Sequence, residues 1–245
     1  MCSIVYTGAL NSRRVMKKNF KVEAIVPVAG LGTRLKTRQT KPFVLLKNKP
    51  LFFYAVSALE KNPLIHQIIL ASHEKYIGTF QRWVKVFRFK KVKKIVKGGE
   101  TRQQSVYNAL QCVDQDTDMV LVHDGARPFI SADIIRQSIQ LCAHKKAVIT
   151  AVPVKPTIKK VSRRSMQVIE TLQRDELWEV QTPQVFDKDL LMKAHQRGKK
   201  YKATDDAFLV EKLGVKVSVT QGSYENIKVT TQEDLDFAEI LLKKR

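Results

Sequence analysis

Residues 22–28 form a run broken only by Glu23 that passes directly into Ala29-Gly30-Leu31-Gly32. No other feature confines the fold as tightly. A strand that is apolar without alternation is covered on both faces, as in a sheet held between layers of helices. Glycines at its exit let backbone N–H groups approach an anion. Further β-rich runs occur at 67–72, 94–97, 119–122, 147–152 and 215–220. Helical patterns fill the gaps, at 51–59, 74–87, 102–112, 132–143, 188–196, 205–213 and 232–243. Start signals support three of them: Ser131 with Asp133, Thr204 with Asp205 and Asp206, and Thr231 with Asp234 as a capping box. Strands alternating with helices predict an α/β fold, a Rossmann-like, mostly parallel sheet flanked by helices.

Between about 153 and 176 the alternation breaks. Two β-branched runs, 154–161 and 166–171, surround the polar turn Ser162-Arg163-Arg164-Ser165. They predict a β-hairpin arm inserted into the α/β domain. Its edges need cover, so a homodimer through the arm is expected. Residues 1–21 hold Arg13, Arg14, Lys17, Lys18 and Lys21 and no acid. They read as a mobile basic leader, with Met16 an alternative start, before a domain at 22–245.

The chain's 245 residues carry 44 Lys+Arg against 23 Asp+Glu, a formal charge of +21. With 44% hydrophobic and 27% charged residues, the surplus is laid on an ordinary globular composition, which excludes a disordered chain. Such charge calls for anionic partners without choosing among nucleic acid, acidic membrane and phosphorylated small molecules. Cys2, Cys112 and Cys142 form no Cys-x-x-Cys pair, and no two histidines stand three or four apart, so a His/Cys metal centre is not expected. A reducing compartment is expected: cytoplasm, or plastid stroma in a plastid-bearing source. No secretion signal and no run of membrane-spanning length is read.

Three strand exits carry candidate chemistry. The loop Gly30-Leu31-Gly32-Thr33-Arg34 has no Walker pattern, and Leu35 stands where a dinucleotide fingerprint needs glycine. It is therefore another kind of strand-end nucleotide loop. Arg34 and Lys41 supply two cations suited to a triphosphate attacked at its α-phosphorus; singly, each also reads as a solvated surface cation. In His123-Asp124-Gly125-Ala126-Arg127-Pro128, Asp124 suits Mg²⁺ held jointly with phosphate oxygens. The plainer reading is an Asp124–Arg127 pair fixing the turn. In Gly98-Gly99-Glu100-Thr101-Arg102-Gln103-Gln104-Ser105, tandem glycines favour close ligand approach, with Ser105 bonding a base or sugar. The plainer reading there is an ordinary strand-to-helix turn.

Taken in order, these motifs resemble the 2-C-methyl-D-erythritol 4-phosphate cytidylyltransferase family. The resemblance rests on Pro27-x-Ala29-Gly30-x-Gly32-x-Arg34 with Lys41, Gly98-Gly99-Glu100-x-Arg102-x-x-Ser105-Val106, and His123 to Pro128. It continues through Arg174-x-x-Leu177-Trp178-x-x-Gln181-Thr182-Pro183-Gln184, Thr204-Asp205-Asp206-Ala207 and Asn226-Ile227-Lys228-Val229-Thr230. It covers about residues 22–242. It implies that Ala29, Gly30 and Gly32 line a CTP site, with Gly99, Glu100, Arg102 and Ser105 near cytosine and ribose. Arg34 and Lys41 resemble the family's transition-state cations. Asp124, followed by Gly125, resembles the acid near metal and ribose, with Mg²⁺ held mainly through the CTP phosphates. Arg174 and Lys228 resemble the pair holding the sugar-alcohol phosphate, with Arg127, Thr204 and the arm's Thr157 also on the substrate side. Thr40, Pro42, Gly125 and Pro156 depart from the family's usual Pro, Gln, Ala and Asp; Pro156 bears on the arm's contact with the substrate diol.

The implied reaction joins CTP and 2-C-methyl-D-erythritol 4-phosphate with release of pyrophosphate, a step of non-mevalonate isoprenoid synthesis. A phosphate monoester is already an anionic nucleophile, so this chemistry asks for cations rather than a general base. A pentitol phosphate such as ribitol 5-phosphate is the alternative acceptor, since related cytidylyltransferases share the glycine loop and Asp-x-Ala-Arg-Pro. The Leu177-Trp178 pair resembles the methylerythritol enzymes. A more distant alternative is nucleic-acid binding by residues 82–97, eight cations without an acid interleaved with Trp83, Phe87 and Phe89. The apolar positions read more simply as a buried helix face and strand.

Overall fold

A computed structural model describes residues 20–30 and 43–244. Most of the predicted leader therefore lies outside the described residues, as do Gly32, Arg34 and Lys41.

The chain opens with β1 (Val22–Pro27), the short ribbon β2 (Leu45–Leu46) and β3 (Lys49–Pro50), α1 (Leu51–Lys61), β4 (Gln67–Ser72), α2 (Ile77–Val86) and β5 (Val92–Lys97). It continues through α3 (Arg102–Leu110), β6 (Met119–Val122), α4 (Ala132–Lys145) and β7 (Ala147–Pro153). The last part holds β8 (Lys159–Val161), β9 (Val168–Thr171), β10 (Trp178–Asp187), α5 (Lys188–Arg197), α6 (Asp206–Glu211), β11 (Ser218–Gln221) and α7 (Gln232–Lys243).

Seven strands form one sheet in the order β11-β7-β10-β6-β1-β4-β5. β1 runs parallel to β4 and β6, β4 to β5, and β7 to β11, while β10 lies antiparallel between β6 and β7. The predicted mostly parallel sheet is thus present. Alternate residues of β1 explain why its hydrophobicity does not alternate. Val22, Ala24 and Val26 pack with Phe52 and Val56 of α1, Phe80 of α2 and Ile135 of α4, whereas Ile25 packs with Val106 of α3, Leu191 of α5 and Leu209 of α6. A third apolar cluster seats α7 on the β2–β3 ribbon through Leu46, Val229, Leu235 and Ala238.

Several boundaries differ from the sequence reading, for local reasons. The predicted helix at 74–87 begins as a 3₁₀ turn, Glu74–Tyr76, before α2. α6 is capped by Asp205, whose carboxylate accepts from Phe208 N at 3.1 Å, rather than by Thr204. The Thr231–Asp234 capping box and the Ser131 cap of α4 form as expected. β10 has no counterpart among the predicted strands. Its register with β7 shifts between Gln181 and Gln184, around Pro183, which has no N–H for a ladder. The arm is a separate two-stranded antiparallel ribbon, β8 with β9, exposed along both strands. Among the described residues no helix is long and apolar enough to cross a membrane.

Candidate functional site

The exits of β1, β5 and β6 lie at the same edge of the sheet, where β1 sits between two crossovers of opposite direction. Open α/β sheets bind ligands at such an edge. Three loops build the site there. After β1, Val28 N donates to Ala71 O at 2.8 Å and leaves Ala29 half-buried and Gly30 exposed. After β5, Gly98 N donates to Ser72 O at 2.7 Å. A Cβ on Gly98 would stand 2.8 Å from Ala29 Cβ and 2.9 Å from Ser105 Oγ, so this loop meets the β1 exit only because it lacks a side chain. Ser105 is buried and binds the loop itself, accepting from Gly99 N at 3.0 Å and donating to Thr101 O at 2.9 Å. Glu100 is exposed, its N–H on Gln104 Oε1 at 3.1 Å.

The loop after β6 presents Asp124. Its Oδ1 accepts from Arg102 Nε at 2.9 Å, and its Oδ2 pairs with Lys228 Nζ at 2.6 Å. Burial alone would raise its pKa, but Arg102 and then Lys228 more than reverse this, holding the carboxyl far below the usual carboxylate range. Arg102 also donates through Nη1 to Asp206 Oδ2 at 2.8 Å. Burial opposes its charge, yet the two carboxylates raise its pKa beyond that of an ordinary guanidinium. Asp206 is buried, and its Oδ1 lies 3.1 Å from His195 Nε2. Its burial is likewise outweighed, first by Arg102 and then by His195, so its pKa is lowered. An unbroken chain of polar contacts therefore runs His195–Asp206–Arg102–Asp124–Lys228, across α5, α6, α3 and the loops after β6 and β11.

Lys228 reaches Asp124 because its segment is fixed to the β6 loop. Val229 N donates to Ala126 O at 2.9 Å, and buried Asn226 donates through Nδ2 to Thr182 O at 2.9 Å. Arg127 belongs to this scaffold. Its guanidinium is buried and donates to Asn226 O at 2.7 Å, so the Asp124–Arg127 side-chain pair read from the sequence is replaced by Asp124–Arg102 and Asp124–Lys228. Only the Arg127 N–H returns to Asp124 O, at 3.0 Å. His123 completes the frame. Arg127 O can only accept, so His123 Nε2 carries the hydrogen and donates to it at 3.1 Å. In the neutral ring Nδ1 then accepts from the Thr182 hydroxyl at 3.0 Å, while Thr182 Oγ1 accepts from Asp124 N, also at 3.0 Å. Burial pushes the His123 pKa down to about 4. Gly125 lies against β1, where a Cβ would meet Val28 Cγ1 at 2.7 Å.

Of the remaining predicted residues, the described ones, Thr157, Arg174 and Thr204, are exposed. Thr204 is exposed before α6, and Thr157 is exposed between β7 and β8. Arg174 lies at the arm's base, exposed, with Nη1 donating to Lys155 O at 3.0 Å. Tyr224 joins that base to the β11 loop through its hydroxyl on Pro153 O at 2.8 Å. Sequence reasoning gave Asp206, His195, Thr182 and Gln184 no part in the site. Gln184 holds α6 in place, its Oε1 accepting from Asp206 N and Ala207 N at 3.2 Å each. The signal lay in the Gln-Thr-Pro-Gln and Thr-Asp-Asp-Ala motifs, whose inward polar residues link β10 to α6. The aromatics of the basic stretch are spent on the core: Trp83 stacks on Phe52 at 5.2 Å, and Phe87 meets Phe53 at 4.7 Å. They form no exposed platform for bases.

A three-layer α/β sheet whose glycine-walled edge holds Arg102 and Lys228, with an arm inserted after β7, suits a nucleotidyltransferase. The family model described as IspD, 2-C-methyl-D-erythritol 4-phosphate cytidylyltransferase, matches residues 22–244. The enzyme of that name from Alkaliphilus metalliredigens is 44% identical over 230 residues, covering 92% of this chain and 94% of its own. That from Caldanaerobacter subterraneus is 41% identical over 226 residues, covering 91% and 99%. Among solved structures, the 4-diphosphocytidyl-2C-methyl-D-erythritol synthase of Anaerococcus prevotii superposes with a TM-score of 0.81 at 31% identity, covering 92% of this chain and 97% of that one. The Francisella tularensis cytidylyltransferase gives 0.75 at 32%, covering 90% and 99%. The chain belongs to the 2-C-methyl-D-erythritol 4-phosphate cytidylyltransferase family.

Proposed function

We propose that the protein transfers the cytidylyl group of CTP to the phosphate of 2-C-methyl-D-erythritol 4-phosphate, releasing pyrophosphate, in the non-mevalonate route to isoprenoid precursors. The observation that carries this reading is Asp124 held between Arg102 and Lys228 beside the Gly98-Gly99 loop. A substrate phosphate oxygen attacks the α-phosphorus of CTP; the P–O bond to the β-phosphate breaks, and pyrophosphate leaves with its electron pair. Lys228 has 37% of its side chain exposed and so can meet an incoming phosphate while Arg102 keeps Asp124 in place. Arg102 Nη2 is buried with no protein partner among the described residues, and a ligand acceptor would satisfy it. Arg34 and Lys41, with Arg174, supply further cations for the charge that develops on the phosphates.

Among the described residues no group of three or more His, Cys, Asp or Glu gathers as a metal site. Asp124, whose oxygens meet Arg102 and Lys228 but each keep a second lone pair, would be the carboxylate to hold Mg²⁺ of the kind bound mostly by triphosphate oxygens and water. When bound, the ion would neutralise phosphate charge and help orient the triphosphate. The protein's own contribution is to position the acid and the surrounding cations.

The exposed arm carries Val161, Met166, Val168 and Ile169. That apolar surface favours a homodimer in which a second copy covers it. A cytoplasmic enzyme accords with Cys112 and Cys142, which carry free thiols among the described residues. The deciding experiment is pyrophosphate release with each nucleoside triphosphate and each candidate sugar phosphate. CTP with methylerythritol phosphate should give the highest kcat/KM. A preference for ribitol 5-phosphate, or no release with any acceptor, would overturn the proposal.

A further inference from the structure

We propose that His195 is a positioning residue for the cytidylyl transfer: its imidazole holds Asp206 in the orientation that fixes Arg102 and, through it, the Asp124–Lys228 pair. This rests on the reading of Asp124 and Lys228 as parts of the reaction site. His195 lies on α5, buried, on the sheet face opposite α1 and α2. Nothing in the transfer chemistry uses it directly.

Three observations give it the task. Both oxygens of Asp206 are committed, Oδ2 to Arg102 Nη1 at 2.8 Å and Oδ1 to His195 Nε2 at 3.1 Å. A carboxylate tied at both ends is fixed about its terminal torsion, whereas one tied at a single end turns in a broad well. The imidazole plane is set by stacking on Tyr107 of α3, with centroids 6.0 Å apart and planes 14° apart. Finally, the backbone of Asp206 is held independently, through its N–H on Gln184 Oε1 at 3.2 Å. Loss of the imidazole therefore releases the carboxylate without releasing α6. Arg102 would lose the second of its two fixed acceptors as a directional anchor, and Asp124 would be steadied by a guanidinium free to swing. Small misplacements of charged groups around a reacting phosphate are costly in rate.

The test compares three variants. His195→Leu removes the donor, His195→Gln puts an amide N–H near the position of Nε2, and His195→Asn carries the same amide on a stem too short to reach Asp206. His195→Leu should lower kcat/KM for the sugar phosphate about tenfold. His195→Gln should recover to within about threefold of the wild type while His195→Asn does not, at matched melting temperature. Should the Leu variant not fold, the Gln and Asn comparison stands alone. Combining His195→Leu with Asp206→Asn should cost no more than Asp206→Asn by itself, because both act through one chain of contacts. Leu191→Ala, a buried change on the same helix, serves as the packing control and should lower the melting temperature with kcat unchanged. Equal impairment of the Gln and Asn variants would overturn the proposal. So would multiplying losses in the double variant, or a kcat loss in Leu191→Ala matching that of His195→Leu. Wild-type kinetics for Lys228→Ala would instead sink the underlying site reading, whatever the His195 variants do.

Discussion

Acidification from pH 7 to pH 5 should remove about 2 kcal/mol of folding stability through one side chain, His123. Burial sets its folded pKa at about 4, against 6.5 for a free imidazole. Above pH 6.5 the ring is neutral in both states and its contribution is fully present. Between 6.5 and 4 the unfolded chain takes up a proton that the folded chain refuses, so stability falls as pH falls, by up to about 1.4 kcal/mol per unit. Below the folded pKa the loss is complete, at between about 3 and 4 kcal/mol, of which a little over half lies between pH 7 and pH 5. Asp124 and Asp206 have depressed values and contribute with the same sign. Their unfolded forms titrate near the ordinary carboxyl value of 3.8, so their share appears only at lower pH. Urea unfolding at pH 7, 6 and 5 should therefore be steeper in pH for the wild type than for His123→Gln, which keeps a donor toward Arg127 O but does not titrate. The variant should start less stable and the two curves should converge on acidification, the other histidines cancelling in the difference. Parallel curves would show that His123 is not held neutral by its surroundings, and the tautomer assigned from Thr182 and Arg127 would fall with it.

The kinetic predictions follow from the roles proposed for the cations. Lys228→Ala should raise KM for the sugar phosphate about tenfold or more with a smaller effect on CTP, read by steady-state kinetics with each substrate varied in turn. Arg34→Ala and Lys41→Ala should each depress kcat by at least about a hundredfold, with little change in the dissociation constant of CTP by calorimetry. Gly98→Ala should cost about 1–3 kcal/mol in urea unfolding, since the new methyl meets Ala29 Cβ at 2.8 Å, and should weaken CTP binding as the two loops part. Burial pushes the Cys142 thiol up to about 12, so at pH 8 it should react with a thiol reagent only after unfolding.

The alternation of apolar strands and periodic helices made the sheet and its flanking layers legible, because two-sided burial writes itself as hydrophobicity. β10 stayed hidden for the complementary reason. Gln181, Thr182 and Gln184 lie within a buried strand yet are polar, and Pro183 interrupts their ladder. Their hydrogen bonds run to Asn226, His123, Asp205 and Asp206, so the strand was selected to connect loops rather than to look apolar. Motifs located Asp124, Arg102 and Lys228, residues 102, 124 and 228 along the chain, but spacing could not say that they touch. The plainer Asp124–Arg127 pairing was local in sequence, and the fold preferred partners 22 and 104 residues away from Arg102. His195 carried no signal, being a single histidine on the apolar face of a helix.

The charge surplus now has a different meaning for the site. In the stretch 82–97, Lys91 donates to Asn62 O, Lys94 pairs with Asp114 and Lys97 with Glu74, so part of that basic run stabilises neighbouring loops and the edge strand. Within the chain of contacts at the strand exits, Arg102 and Lys228 are matched one for one by Asp124 and Asp206. These two cations are organised by the protein's own carboxylates before any anion arrives. Two phosphorylated substrates then bring more negative charge than this cluster can neutralise. On the proposed reaction, the surplus positive charge would come from outside it, from Arg34, Lys41 and Arg174 and from a metal carried by the triphosphate. On that reading Arg102, tied to two buried carboxylates, is the frame, and the more exposed Lys228 is the contact open to a ligand. That division is why loss of Lys228 should appear in the KM of one substrate, while loss of the loop cations should appear in turnover.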